Sequence, residues 1–187
     1  MVSKSKILGK SSLIFVTVGS TDFRFDRLFS VVDKGLIKQN HNITLVVQSG
    51  NSQYNWLYKK IIIYKYLNPL KINSFIKKAD KVISHSGFAS IYLGIKYAKN
   101  NPLFVPRLAK FAEHVDNHQL FFTEFLRNKV PDRLKKYFLL EENIDYNIQN
   151  FIKERSKKNT LNKYLFNESG KKNVAVGLEK FIKSAKV

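Results

Sequence analysis

The sequence predicts an α/β fold in which an open, largely parallel β-sheet is covered by helices on both faces. Short runs of β-branched and aromatic residues alternate with segments in which apolar residues recur at helical spacing. Glycine and small hydroxyl residues follow two of these runs, as expected where a buried strand turns into a helix. Strands that alternate with helices in this way form a parallel sheet. The length of 187 residues suits one such domain with a C-terminal extension.

Three strands and one helix are predicted in the first part of the chain. The uninterrupted apolar run at residues 13–18 is typical of a strand buried on both faces. The helix after it has Asp26 as its predicted cap and carries apolar residues at helical spacing up to Ile37. Two further apolar runs, at residues 43–47 and 61–67, predict the second and third strands.

The middle of the chain continues the alternation of strands and helices. Apolar spacing predicts helices at residues 70–78, 86–97 and 117–127, and strands at residues 82–84 and 103–105. Beyond Pro131 the pattern weakens, and it predicts a last strand at residues 137–140 and a helix at residues 144–152. No apolar run approaches the roughly 20 residues that a membrane-spanning helix needs.

The end of the chain is predicted to be a basic extension. Residues 154–163 are polar and basic and predict a loop or mobile linker, and residues 174–185 predict an amphipathic helix. We therefore divide the chain into a sheet domain at residues 1–150 and a linker with a C-terminal helix at residues 151–187. That helix either packs back on the domain or docks on a partner or a membrane interface, and both interpretations stay open.

The composition predicts an anionic partner. Lysine and arginine number 33 against 14 aspartates and glutamates, which gives a formal net charge of +19. A nucleic acid, an acidic membrane surface or a phosphorylated substrate would each match this charge. Only six of the 33 are arginines, so a general composition bias is an alternative explanation for part of the excess. The absence of cysteine excludes disulfides and thiolate chemistry and fits a reducing cytoplasm.

Two loops are candidates for binding a phosphate group. Gly19, Ser20 and Thr21 end the first strand, and residues 84–90, with His85, Ser86, Gly87 and Ser90, end the fourth. Small residues at these positions let a diphosphate approach backbone N–H groups at a helix N-terminus. Neither loop has the spacing of a dinucleotide fingerprint or a P-loop. A pair of tight turns without a ligand is the alternative interpretation.

A second candidate cluster follows the fifth predicted strand, at residues 106–119. Its histidine, asparagine and glutamine side chains offer the donors and acceptors that sugar hydroxyls require. Glu113, His114 and His118 are considered as metal ligands, but the His-Glu-x-x-His motif is absent. Ser86 is considered as a hydrolase nucleophile, but Ser84 stands where the nucleophile elbow needs glycine. Histidines that only cap and bridge a loop are the remaining alternative.

Aromatic and basic residues alternate between the second strand and the end of the third, which is compatible with stacking on single-stranded nucleic acid. The residues are Tyr54, Trp56, Tyr58, Tyr64 and Tyr66, next to Lys59, Lys60 and Lys65. Half-buried sheet and helix faces also show this pattern. No RNA-recognition, zinc-finger or helix-turn-helix signature accompanies it. A basic nucleic-acid-binding protein is therefore kept as an alternative function.

Three ordered blocks give the sequence a family resemblance. They are residues 14–21 with 25–28, residues 79–87 with 90–91, and residues 102–107 continuing through 113–120. The chain resembles, over about residues 13–126, the donor-binding C-terminal half of MurG-like glycosyltransferases. Within this group it resembles the PssE-type stand-alone subunit of exopolysaccharide and capsule transferases, and it is similar to the soluble subunit of the dolichol-pathway GlcNAc transferase.

The resemblance implies a Rossmann-like, single GT-B donor-binding half, with the basic helical extension after it, and a site for a UDP-sugar. It implies no metal and no cofactor. By analogy, the backbone near residues 66–69 would contact the uracil. The implied catalytic residues are His85, Glu113 and His114. The implied donor-binding residues are Gly19, Ser20, Thr21, Ser86, Gly87, Ser90, Arg107, Asp116, His118 and Gln119.

The resemblance also implies partners and a location. The acceptor, a polyprenyl-pyrophosphate-linked sugar, would be held by a membrane-anchored subunit, and no nucleic acid would be bound. The chain would be cytoplasmic and peripheral at the inner face of the membrane. Leu93 departs from the family pattern, because many members carry there an acidic residue that contacts the nucleotide ribose. Ala89 and Ala112 replace common glycines.

Overall fold

The computed structural model describes residues 11–39 and 42–166, and these ranges contain five strands and seven α-helices. The strands are β1 (Ser12–Thr17), β2 (Ile43–Gln48), β3 (Ile61–Tyr64), β4 (Lys81–His85) and β5 (Leu103–Val105). The helices are α1 (Asp26–Ile37), α2 (Pro69–Lys78), α3 (Phe88–Tyr97), α4 (His118–Arg127), α5 (Asp132–Lys135), α6 (Ile144–Lys153) and α7 (Leu161–Leu165). A 3₁₀ helix lies between β5 and α4, at Ala109–Phe111.

The five strands form one parallel sheet in the order β3-β2-β1-β4-β5. β1 is central, and its residue Val16 pairs with Val47 of β2 and Ile83 of β4. This arrangement confirms the predicted α/β class. The chain runs outward from β1 to one edge and then returns to place β4 on its other side. Such a reversal leaves a crevice beyond the carboxyl ends of β1 and β4, where ligands bind in open parallel sheets.

Alternate side chains of the buried strands pack against helices on opposite faces of the sheet. Ile14 and Val16 of β1 belong to a core that includes α1 and α6, whereas Phe15 packs with residues of α2 and α3. A third apolar cluster surrounds Phe104 of β5 and joins α3, α4 and α7. Burial on both faces explains why the strands read as continuous apolar runs rather than as alternating patterns.

Predictions for residues 137–140 and for Asp26 differ from the structure. Residues 137–140 do not form a strand. Phe138 makes a single parallel bridge with Phe104, because only the backbone of Phe104 pairs with this segment. Asp26 is the first residue of α1 and not its cap. Its carboxylate accepts hydrogen bonds from the Arg24 side chain and from the backbone N–H of Gln53.

The segment after α6 is folded onto the domain as far as Phe166. The boundary predicted between residues 150 and 151 falls inside α6, and the predicted linker contains the start of α7. Leu161 and Leu165 of α7 are fully buried, because they pack into the cluster around Phe104. The helix predicted at residues 174–185 lies outside the described residues, so the division into two parts stays a prediction. No helix in the described ranges is long and apolar enough to span a bilayer.

Candidate functional site

A cleft of about 570 Å³ lies beyond the carboxyl ends of β1 and β4. The loops after both strands line it, so the two candidate phosphate loops face one common space. The cleft wall includes the predicted catalytic residue His85 and, of the predicted donor-binding residues, Gly19, Ser20, Thr21, Gly87 and Ser90. Ser86 lies beneath this wall: it is 1% exposed, and its Oγ has no hydrogen-bond partner.

Glycine is required in both loops because the His85 imidazole lies between them. Gly19 has a φ of +77°, and a Cβ built on it would lie 2.6 Å from His85 Nε2. A Cβ on Gly87 would lie 2.3 Å from His85 Cε1. Both distances are shorter than any normal contact, so a side chain at either position would displace the ring. The backbones of the two loops therefore approach the ring more closely than other residue types allow.

His85 is neutral and is held in one tautomer. Burial, with Arg107 nearby, lowers the pKa of His85 to about 3. The ring nitrogen Nδ1 accepts a hydrogen bond of 3.1 Å from the Gly87 N–H. The proton is therefore on Nε2, which lies 2.8 Å from Ser90 Oγ and donates to it. This leaves the Ser90 hydroxyl hydrogen available to an acceptor in the cleft.

The first loop is supported by a buried polar pair that the sequence analysis did not identify. Thr17 at the end of β1 donates to the Gln48 side chain at the end of β2. The amide nitrogen of Gln48 donates to the Gly19 carbonyl oxygen at 2.8 Å, and both side chains line the cleft. The sequence signal that could have identified this pair is that Thr17 and Gln48 are polar residues at the ends of apolar strands. These contacts fix the direction of the Gly19 backbone.

The N-terminus of α3 opens onto the cleft. Gly87 is its cap residue, no side chain caps the helix, and no acidic residue lies in its first turn. Phe88, Ala89 and Ser90 of this turn line the cleft. A helix N-terminus without a side-chain cap presents N–H groups and a partial positive charge, and it is suited to bind an anion.

Part of the cleft wall is apolar. Leu67, Ile72 and Val82 line it together with Leu93, the residue that departs from the family pattern. Tyr66 and Pro69, which bound the segment expected to contact uracil, also line the cleft. None of the described residues that line the cleft is an aspartate, glutamate, lysine or arginine.

Arg107 is a positioning residue in this structure. It is 1% exposed, and its Nη atoms donate to four backbone carbonyls, those of Val18, Phe23, Arg24 and Glu113. Burial lowers the pKa of Arg107 to about 10, so it stays charged at neutral pH. The side chain thus ties the loop after β5 to the loop after β1. It was predicted to contact the donor, whereas the structure places it beneath the loops.

Glu113 is also buried and paired. Its carboxylate oxygens each accept a 2.8 Å bond from Arg27 of α1, and Oε2 accepts a further bond from the Leu108 N–H. A carboxylate held by a bidentate arginine is a strong geometric constraint. The structure therefore gives Glu113 a role in holding the loop after β5 against α1, and Arg27 is a further residue that the sequence analysis missed.

The remaining predicted residues form a polar cluster beside His85. The Asp116 carboxylate is bonded to the His118 ring and lies 3.5 Å from His114 Nδ1, and the two rings meet edge to face. Partial burial and His118 lower the pKa of His114. Gln119, 2% exposed, accepts from the Arg107 N–H and lies near the His85 ring. The two candidate clusters are therefore neighbours.

Metal ligation is compatible with this cluster. The donor atoms of His114, Asp116 and His118 lie within 4.8 Å of one another, which is close enough to ligate one cation. The absence of a metal from the reaction stays a prediction from the family resemblance.

The comparison with known proteins identifies the family. The chain matches the model of the glycosyltransferase family 28 C-terminal domain over residues 13–177 and belongs to this family. No curated protein sequence matches it significantly. Among the 17 chains of solved structures that match is the glycotransferase of kitacinnamycin, with a TM-score of 0.51 and 11% sequence identity. The match covers 96% of this chain and 41% of that one. The domain has the fold of one half of a GT-B glycosyltransferase.

Proposed function

We propose that this protein binds a UDP-sugar and is the donor-binding, catalytic subunit of an inverting glycosyltransferase. The observation that carries the proposal is the common cleft of the two glycine loops and the open N-terminus of α3. This cleft occurs in a chain that belongs to the glycosyltransferase family 28 C-terminal domains, a family that implies a UDP-sugar donor.

The donor diphosphate would bind at the N-terminus of α3, between the Gly19 and Gly87 loops. Backbone N–H groups and the hydroxyls of Thr21 and Ser90 are the available donors, and the Oγ of Thr21 has no hydrogen-bond partner among the described residues. The pyrimidine would lie on the apolar wall near Tyr66 and Leu67. The sugar would then extend toward the polar cluster of His114, Asp116, His118 and Gln119, whose donors and acceptors suit hydroxyl groups.

In the proposed reaction an acceptor hydroxyl attacks the anomeric carbon of the sugar from the side opposite UDP, and the bond to the diphosphate breaks with inversion. Negative charge builds on the departing UDP, and the dipole of α3 stabilises it. A base accepts the proton of the acceptor hydroxyl. His114 suits this role because its pKa is lowered and its ring is neutral at pH 7. Glu113, bonded to Arg27, is less available.

The proposed biological setting comes from the resemblance to PssE-type subunits. A membrane-anchored partner would hold a polyprenyl-pyrophosphate-linked acceptor during exopolysaccharide or capsule synthesis. The chain would then work at the cytoplasmic face of the membrane. The net charge of +19 supports a location near anionic lipid. A subunit that positions its partner without turnover is the alternative within this setting.

Binding experiments separate the proposal from nucleic-acid binding. Calorimetric titration with UDP should show saturable binding that survives moderate salt, whereas titration with single-stranded RNA should not. The His85→Ala and Gln119→Ala variants should lose transfer when they are combined with the partner subunit. Salt-sensitive RNA binding without affinity for UDP would overturn the proposal.

A further inference from the structure

Several exposed apolar side chains lie at the β3 edge of the described sheet, with Ile62 and Ile63 on opposite faces of the strand. β3 is the edge strand, and these side chains belong to this strand, the residues that flank it and the start of α2. We call residues 57–71 the β3 edge surface. Its exposed apolar residues are Leu57 (65%), Ile62 (48%), Ile63 (49%), Tyr66 (49%) and Leu70 (81%). Side chains of this size are rarely left uncovered in a group.

The β3 edge surface carries positive charge. Residues 57–71 contain four lysines (Lys59, Lys60, Lys65 and Lys71) and no aspartate, glutamate or arginine, so their formal charge is 4 − 0 = +4. The buried Asp33 carboxylate beside this surface accepts hydrogen bonds from the Leu57 and Tyr58 N–H groups. All four lysines are exposed, and none forms an ion pair with a described residue. Elsewhere in the described chain, Lys99, Lys110, Lys135 and Lys136 are each paired with a carboxylate. The positive charge here is therefore not neutralised within the described protein.

We propose that the β3 edge surface docks this protein on an anionic lipid bilayer. Lysine ammonium groups would contact the lipid phosphates, and Leu70 and Ile62, which both lie on the α2 side of the sheet, would enter the boundary between headgroups and acyl chains. Exposed leucine and isoleucine between unpaired lysines is the pattern of a surface that lies on a membrane. Docking on a membrane deepens the proposed function and rests on it, because that function supplies the reason for membrane contact. The surface itself is identified from exposure and charge.

The same observations disfavour two other occupants. A second copy that pairs edge to edge would bring two surfaces of +4 together, and like charges would oppose the contact. Single-stranded RNA is read by exposed stacking platforms and by arginine, and this stretch contains no arginine. Trp56 and Tyr54 instead pack on Phe29, and the Tyr64 ring packs on Phe75. Aliphatic side chains with lysine fit lipid better.

Docking in this way would place the donor cleft next to the bilayer. Tyr66 belongs to the β3 edge surface and also lines the cleft, and Pro69 of the cleft wall precedes Leu70 directly. A lipid-linked acceptor is confined to the membrane surface. The proposed orientation would bring the cleft within reach of such an acceptor.

Vesicle flotation with the full chain tests the proposal. Wild-type protein should bind vesicles of phosphatidylcholine with phosphatidylglycerol, and should bind pure phosphatidylcholine much more weakly. The triple variant Lys59→Gln, Lys65→Gln, Lys71→Gln should lower the vesicle affinity on the order of 10- to 100-fold. The matched control removes the same charge at Lys129→Gln, Lys153→Gln and Lys163→Gln, which are exposed residues of other surfaces. This control variant should lower the vesicle affinity by a much smaller factor.

An apolar variant tests the second half of the contact. Leu70→Ser should weaken vesicle binding several-fold without unfolding the protein, because the side chain is 81% exposed, and Tyr146→Ser on α6 serves as its control. Equal loss in both triple variants, or no vesicle binding by wild type, would overturn the proposal. The proposal would also be overturned if the wild-type protein bound RNA or self-associated, and if the triple variant of Lys59, Lys65 and Lys71 lost that binding while the control triple variant kept it. UDP titration of the same samples reports separately on the proposed function, since the edge variants should keep wild-type UDP affinity.

Discussion

The His85 ring connects the two loops of the candidate site through contacts that only a neutral imidazole can make. Its Nδ1 accepts the Gly87 N–H and its Nε2 donates to Ser90. A proton on Nδ1 would break the first bond and place a buried charge near Arg107. The residue is thus better suited to arranging donors around a ligand than to exchanging protons with it.

This arrangement predicts a dependence of stability on pH. The folded pKa of His85 is about 3 and the reference value is 6.5, so below 6.5 the unfolded chain takes up a proton that the folded chain refuses. The free energy of unfolding should fall as pH drops from 6.5 toward 3, by up to on the order of 4 kcal/mol. Urea unfolding at a series of pH values measures it. In His85→Gln the acid dependence should be weaker, and parallel curves for the two proteins would contradict the assignment.

Gly19→Ala tests the close approach of the first loop. The left-handed φ and the 2.6 Å distance to His85 Nε2 mean that the methyl group would force the ring or the loop to move. We expect the variant to lose at least about 1 kcal/mol of stability and to bind UDP at least tenfold more weakly. Calorimetric titration measures the affinity. Ser74→Ala, on α2 and outside the cleft lining, is the control and should bind UDP within a few-fold of wild type.

Part of the site was predictable at the level of residues and part was not. Gly19, Gly87 and His85 could be placed together from sequence, because parallel strands end at the same edge of the sheet. The burial of Arg107 and Glu113 could not, because charged residues in a polar loop are normally solvated. Their partners, Arg27 and the carbonyl of Val18, lie more than 80 residues away in the sequence.

At the level of elements, the loop after β5 behaves as a rigid part of the site. Arg107 bonds it to the loop after β1, and the pair of Glu113 with Arg27 bonds it to α1. The histidines that would face the sugar follow directly on this segment. Their position therefore depends on ion pairs and hydrogen bonds that do not themselves line the cleft.

Glu113→Gln separates a positioning role from a catalytic one. The amide keeps the shape of the side chain but loses the charge-assisted bonds to Arg27, so stability should fall by about 2 kcal/mol. Transfer by the reconstituted pair should fall moderately while the pH profile of kcat keeps its shape. Loss of one limb of that profile would instead identify Glu113 as the base. Asp132→Asn, at an exposed ion pair with Lys135, is the control and should leave stability and transfer unchanged.

The order and type of the main elements were predictable because each strand is a compact apolar run and each long helix has one apolar face. Some predicted ends of strands and helices differ from the observed ends by a residue or more. β3, for example, ends at Tyr64 and not at residue 67. α7 was missed because its five residues are too short to show helical spacing. Its burial depends on tertiary contact with the cluster around Phe104.

At the scale of the whole molecule, the third apolar cluster makes the segment after α6 part of the domain. Leu161 is 0% exposed, so Leu161→Ala should create a cavity and cost about 3 kcal/mol. Urea denaturation measures the loss. Leu57→Ala, the same change at a side chain that is 65% exposed, is the control and should cost less than about 0.5 kcal/mol. Equal, small losses would mean that α7 contributes little to the fold.

No described residue that lines the cleft carries a formal charge, so UDP binding and vesicle binding should respond differently to ionic strength. Backbone dipoles that contact a diphosphate directly are poorly screened by dissolved ions, whereas attraction between lysines and a lipid surface declines steeply as ions are added. Raising the potassium chloride concentration should therefore release the protein from vesicles while UDP remains bound.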